Sequence, residues 1–268
     1  MPMSSRRPPL APNAALRYDL VGRLVGGLRP RSVLEIGCGQ GAVGARLAER
    51  VDHYLAVEPD PASFSVARAR IEPAGGEVRN SDHTGLPEAA SYDLVCAFEV
   101  LEHLADDKGA LTDWVRLVRP GGHLLLSVPA WPARFGPWDT LVGHYRRYTP
   151  DGLSDLLAGV GLTDPRVTGY GWPLGGALEA VRNRVARRRV GAVGPAGSPG
   201  SPDPAGSPDP AGGPSYPERT AQSGRLLQPK RLAGLAVAGG VLPFRYLQRL
   251  APTRGTGLVA VARRPTGP

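Results

Sequence analysis

The stretch VLEIGCGQGAVG, Val33 to Gly44, sets four glycines directly behind an apolar run. A strand that stops on glycine and restarts as a helix leaves backbone N–H groups unpaired, and glycine lets a ligand approach them without Cβ interference. The turn therefore predicts a small-molecule site.

Working outward, LRYDLVGRLVGGL before the turn spaces Leu16, Leu20, Val21, Leu24, Val25 and Leu28 three or four apart, an amphipathic helix. After it, GAVGARLAERV reads as a helix with Val43, Leu47 and Val51 on one face, HYLAVEPD as a strand, PASFSVARARI as a helix and GEVRNSD as a short strand. YDLVCAFEV is a fourth strand, GALTDWVRLV a helix that Pro120-Gly121-Gly122 is expected to end, and HLLLSVPA a fifth strand. RRYTPDGLSDLLAGVGL is a helix capped by Thr149 or Asp151, and DPRVTGY a sixth strand. Strands separated by helices of this length imply parallel pairing with right-handed crossovers, an open doubly wound α/β sheet whose ligands lie at the carboxyl ends of the strands.

The 268 residues suffice for one core with an appendage. Cys38 and Cys96 are too few for a disulfide framework or a four-cysteine zinc site, which points to a reduced, cytoplasmic setting. Arg6 and Arg7 have no apolar run behind them, so no secretory signal is expected. The net charge of +8 is uneven: 17 Lys+Arg stand against 19 Asp+Glu through Leu162, and 15 against 5 beyond it. Such asymmetry fits attraction to anionic lipid or nucleic acid, and equally an arginine-rich genomic bias, since nearly every basic residue is Arg.

Gly39, Gly41 and Gly44 form a GxGxxG pattern, and Glu58 lies 19 residues after Gly39, where an acid takes ribose hydroxyls. That much suits NAD. However, Glu35 sits at the same strand end, where it would repel a pyrophosphate and welcome an ammonium. Asp82 follows the third strand, suited to accept from an adenine amine, and Glu99 closes the fourth. Four acids at successive strand ends describe a ligand cationic at one end and adenosine-like at the other, which S-adenosylmethionine fits.

With VLEIGCGQG, AVEPDP, NSDHTGLP, YDLVCAFEVLEHL and LVRPGGHLLLSVP in order from about Arg17 to Leu162, the chain resembles the class I S-adenosylmethionine-dependent methyltransferases. The resemblance implies a mostly parallel seven-stranded sheet, the Rossmann-like methyltransferase fold, whose reversed final strand would be GTGLVAVARR after a long insertion. It makes Glu35, Gly37 and Gly39 the methionine-end site, Gly41 the helix-entry glycine, Glu58 the ribose ligand, and Asp82 with His83 the adenine edge. Cys38, Pro59 and Glu99 complete the cofactor set. The methyltransferase domain is then 1–172 plus 255–264, followed by a basic helix at 173–190, a disordered Pro/Gly/Ser-rich tether at 191–223 and a helical segment at 224–254.

Methyl transfer needs a general base only where the acceptor loses a proton, and His103 and His144 are the candidates because imidazole titrates nearest neutral pH. Glu99, Glu102 and His103 would share one helical face if a helix began at Glu99, a pattern similar to the metal-binding stretch of ubiquinone-biosynthesis O-methyltransferases and of small-RNA 2′-O-methyltransferases; no metal site is assigned. LAGLAVAGGVLPF, flanked by Lys230, Arg231, Arg245 and Arg249, is too short to span a membrane and fits either an interfacial helix or one packed on the sheet. No nucleic-acid-binding module is recognisable. The expected activity is methylation of a small-molecule acceptor at oxygen. The competing reading is a non-catalytic cofactor-binding fold that serves as an interaction or membrane-docking module.

Overall fold

The computed structural model describes residues 7–87, 89–192 and 231–267. Seven strands form one sheet: β1 (Ser32–Ile36), β2 (His53–Val57), β3 (Glu77–Arg79), β4 (Tyr92–Phe98), β5 (Val118–Pro129), β6 (Thr163–Gly171) and β7 (Gly255–Arg263). Their order is β3-β2-β1-β4-β5-β7-β6, with β7 antiparallel to both its neighbours and the rest parallel. The expected doubly wound sheet with a reversed last strand is therefore present. The order in which strands are added reverses between β1 and β4, the topological switch point at which such folds hold ligands.

Both faces of the sheet are covered, which is why its central strands read as continuous apolar runs. On one face α4 (Asp107–Arg116) and α6 (Pro150–Ala158) bury Leu111, Trp114, Leu153 and Leu157 against Leu34, Val95 and Leu126. On the other, α1 (Pro12–Leu28), α2 (Gly44–Ala48) and α3 (Pro61–Ile71) bury Leu16, Val25, Leu47 and Ile71 against Val33, Leu94 and Leu125. Thr149 caps α6 through its hydroxyl, which accepts from Gly152 N at 3.1 Å.

Several boundaries differ from the sequence reading. The helix after the glycine turn spans only Gly44–Ala48, because Gly41 (φ +71°) still belongs to the turn. The third strand is only Glu77–Arg79. Pro120-Gly121-Gly122 lies inside β5 and does not end a helix: Val118 pairs with Tyr92 and His123 with Leu94, so a bulge with Gly121 at φ +77° absorbs the extra residues.

The basic helix expected at 173–190 is α7 (Leu174–Ala192), after a short α5 (Pro137–Val142) in the loop beyond β5. The tether expected at 191–223 falls almost wholly outside the described residues, as does Lys230. The apolar C-terminal stretch forms α8 (Arg231–Leu247), with Val241 buried in the core beside α1. No described helix is long and apolar enough to cross a membrane.

Asp19, 5% exposed, ties α1 to the C-terminal segment: its carboxylate meets Arg23 at 3.1 Å, Arg245 at 3.2 Å and Arg249 at 2.9 Å. Gln248, also buried, donates to Leu16 O at 3.1 Å. Asp19→Ala leaves three partly exposed guanidinium groups without their shared anion. Its expected cost is about 1–3 kcal/mol, read as a lower urea midpoint with an unchanged slope; an unchanged midpoint would show that α8 docks by apolar contact alone.

Candidate active site

A cavity of about 630 Å³ opens at the switch point, lined by residues following β1, β2, β3 and β4 and roofed by α1 and α7. All four acids read from the sequence line it: Glu35, Glu58, Asp82 and Glu99. So do Gly37, Cys38, Gly39, Pro59, His83, His103 and His144. Gly41 does not. Its added Cβ would stand 2.9 Å from Ala67 Cα, so this glycine serves the packing of the turn on α3 and not the cavity wall.

Glu35 is the penultimate residue of β1 and is 2% exposed; its carboxylate accepts from the Tyr54 hydroxyl, and burial pushes its pKa up to about 7. Gly37 has φ +69°, and a Cβ there would meet Val100 Cγ2 at 2.8 Å, so both conformation and space demand glycine. Glu58 ties the turn to the end of β2: one oxygen accepts from Gly39 N at 2.7 Å and the other from Asp60 N at 3.0 Å. Glu58 also lines the cavity, and a carboxylate oxygen can accept more than one hydrogen bond.

Asp82 caps the turn at His83–Gly85, accepting from Thr84 Oγ1 at 2.6 Å and Thr84 N at 2.9 Å, and the Thr84 hydroxyl holds its carboxyl below the usual range. His83 stands edge-on to Trp114 with centroids 6.2 Å apart. Glu99 follows the last residue of β4, and no helix begins at it. Its φ is +58°, a left-handed conformation that costs a non-glycine residue about 1–3 kcal/mol. The twist delivers its carboxylate to Ser127 Oγ at 3.0 Å, Tyr170 OH at 3.1 Å and Arg17 at 3.4 Å. Only a single turn, Leu101–His103, follows, so Glu99 shares no helical face with Glu102 and His103.

A different trio assembles instead. Side-chain ligand atoms of Glu102, His103 and His144 lie within 4.8 Å of one another, and the two imidazoles cross at 81° with centroids 4.6 Å apart. Glu102 is fully buried, and among the described residues neither of its carboxylate oxygens makes a hydrogen bond. Burial, with Glu99 close by, raises its pKa well above the usual carboxylate range. Burial and the neighbouring His144 lower His103 to about 3, so it is neutral. Asp139 orients His144, its Oδ1 lying 2.8 Å from Nδ1, and receives Arg147 at 2.9 and 2.7 Å. Although burial opposes its ionisation, the bonds from His144 and Arg147 hold Asp139 at about 2.

Sequence reasoning missed Asn13, Arg17, Asp139 and Arg182, which also line the cavity. Asn13 and Arg17 sit one turn apart on α1, and Asn13 Oδ1 and Arg17 Nε are buried without hydrogen bonds among the described residues. The i, i+4 spacing is visible in the sequence; their approach to the sheet edge is not.

The methyltransferase domain family matches residues 11–165, more than half the chain. Ubiquinone biosynthesis O-methyltransferase of Alkalilimnicola ehrlichii is 34% identical over 116 residues, covering 42% of this chain and 47% of that protein. An uncharacterized methyltransferase of Mycobacterium sp. is 36% identical over 116 residues, 43% of this chain and 45% of that protein. The chain thus spans about half the length of the curated relatives it matches. Among solved structures, the methyltransferase bound to the Haloferax volcanii Trm112 activator superposes with TM-score 0.57 at 15% identity, covering 95% of this chain and 92% of that one, a likeness of fold. The family match runs from the start of α1 into β6 and contains every cofactor position read from the sequence, so the chain belongs to the methyltransferase domain family.

Proposed function

We propose that the chain transfers the methyl group of S-adenosylmethionine to a hydroxyl of a small-molecule acceptor. The observation that carries this reading is the charge pattern of one cavity: four acids at successive strand ends, with Arg17 among them. Glu58 receives the ribose hydroxyls, Asp82 and His83 border the adenine, and Glu35 and Glu99 offset the positive methionine end. Asn13 Oδ1 and Arg17 Nε complement the ammonium and carboxylate of that end. The O-methyltransferase named among the relatives supports oxygen as the acceptor atom.

The acceptor oxygen attacks the methyl carbon in line with the departing sulfur; the C–O bond forms, the C–S bond breaks, and the sulfonium becomes a neutral thioether. The protein's main task is to hold the reacting atoms about 3–3.5 Å apart and to exclude water. His144, its Nδ1 engaged by Asp139, turns Nε2 inward toward Glu102, 3.9 Å away, where it takes the hydroxyl proton. His103 supports the placement of that ring.

A second reading has its own observation. Two imidazoles and a fully buried carboxylate without hydrogen bonds among the described residues, with Asp139 behind His144, have the donor types and outer support of a divalent-cation site. Glu102, His103 and His144 would hold the ion, which would supply charge stabilisation to the ionised acceptor oxygen.

The test is calorimetric titration with S-adenosylhomocysteine and with NAD, followed by transfer of labelled methyl to catechol-type acceptors before and after treatment with a chelator. Binding of S-adenosylhomocysteine but not NAD, and formation of labelled ether, are expected. Binding without turnover of any acceptor favours the non-catalytic reading. Loss of activity on chelation, restored by a divalent cation, selects the metal-assisted form; indifference selects His144 as base.

A further inference from the structure

Helix α7 lies beyond the span shared with the family, yet Gly175, Glu179 and Arg182, four and three residues apart on one face, line the same cavity as the acids. Glu179 is already committed, receiving Arg147 at 2.5 Å and Arg134 as well. Arg182 differs. Its guanidinium carbon stands 5.7 Å from the centroid of the Trp138 ring, and among the described residues it makes no ion pair. Burial is the largest influence on it and lowers its pKa; Tyr170, Glu99 and Glu179 oppose that through space and Arg17 adds to it.

A guanidinium braced on an indole keeps its edge donors available, and their fork matches the two oxygens of a carboxylate or the face of a phosphate. The cation–π contact offsets part of the cost of holding this charge out of water, but it does not supply hydrogen-bond acceptors. Within the cavity Arg17 already serves the acid row at Glu99, and Arg182 sits over Trp138, the sequence neighbour of the Asp139 that holds His144. An anion that meets Arg182 therefore arrives with the molecule that approaches His144.

We propose that Arg182, seated on Trp138, is an anion subsite for the methyl acceptor, which carries a carboxylate or phosphate apart from the hydroxyl that is methylated. This rests on the cavity being a methyl-transfer site and adds the acceptor's charge to it. Arg134, Arg184 and Arg187 surround an adjoining cavity along α7 and steer such an acceptor inward.

The full chain saturated with S-adenosylhomocysteine is titrated calorimetrically with 3,4-dihydroxybenzoate against catechol, and with 4-hydroxyphenyl phosphate against phenol. The charged probe of at least one pair is expected to bind about tenfold or more tightly than its neutral partner, the measure of one charge-assisted hydrogen bond. The pair with the larger ratio identifies the source as carboxylate or phosphate. Arg182→Gln erases the preference, Arg182→Lys retains part of it, and both keep the affinity for S-adenosylhomocysteine.

Equal binding of charged and neutral probes by the unsubstituted protein overturns the proposal, whether or not the variants fold. So does a preference that survives Arg182→Gln, or no binding of either charged probe up to about 10 mM. A tenfold loss of S-adenosylhomocysteine affinity in Arg182→Gln also overturns it, by assigning Arg182 to the cofactor. If the unsubstituted protein fails to bind S-adenosylhomocysteine, the methyl-transfer reading falls and takes this one with it. Cofactor binding without charge preference removes this inference alone.

Discussion

His144→Ala is expected to lower kcat for a hydroxyl acceptor by about 10²–10⁴-fold while affinity for S-adenosylhomocysteine changes little. The imidazole is held on one side only: Asp139 accepts at Nδ1 and leaves Nε2 facing Glu102 and His103. Whether Nε2 takes a proton or binds a cation, alanine removes it. An amine acceptor that presents a free lone pair needs no base, so its methylation should suffer far less in the same variant if Nε2 acts as a base. Asp139→Asn makes a second comparison, because the ionised carboxylate fixes the tautomer of His144 and also receives two bonds from Arg147. It should lower both rate and stability, whereas His144→Ala should chiefly lower rate. Initial rates with labelled donor at saturating concentration provide the measurement, and an unchanged kcat in His144→Ala would remove this residue from the chemistry.

Glu58→Ala should weaken S-adenosylhomocysteine binding by about 100-fold, roughly the loss of one or two hydrogen bonds to an ionised group. This carboxylate does two things at once. It braces the glycine turn through Gly39 N and Asp60 N, and in the proposed reading it accepts from a ligand's hydroxyl pair. Glutamine is not a rescue, because one of its two terminal groups would turn N–H donors toward an N–H donor already in place. Both variants should therefore bind poorly, and alanine should also cost about 1–3 kcal/mol of stability through the two donors left unpaired. Calorimetry with a parallel urea titration separates the effects. A dissociation constant within threefold of the unsubstituted protein would mean the ribose is held elsewhere.

How much of this could be read in advance depends on where the information lies. The apolar runs of β1, β2, β4 and β5 are unmistakable because helices cover both faces of the sheet, and the glycine turn announces the ligand edge. Glu35, Glu58, Asp82 and Glu99 were legible as a row because strand ends of a parallel sheet all open on one edge. The bulge in β5 was not, since Pro120-Gly121-Gly122 terminates helices as readily as it bends a strand. Nor was the backbone of Glu99, whose positive φ is imposed by Ser127, Tyr170 and Arg17 from three distant segments. Arg17 and Arg182 resemble any charged residue on a solvated helix face until tertiary packing turns them inward. The trio of Glu102, His103 and His144 closes only because the segment after α5 folds back, with Tyr145 N bonded to Glu102 O at 2.8 Å.

The placement of β7 between β5 and β6 has a consequence for how this chain is born. Strand β5 ends at Pro129 and β6 at Gly171, but the ribbon that joins them begins only at Gly255. On a ribosome adding about 5–20 residues per second, the flank of β5 stays open for several seconds or longer after that strand has emerged, and β6 has nothing to pair with. Nascent chains arrested before Gly255 should accordingly recruit holdase chaperones, and release should coincide with the appearance of the closing ribbon.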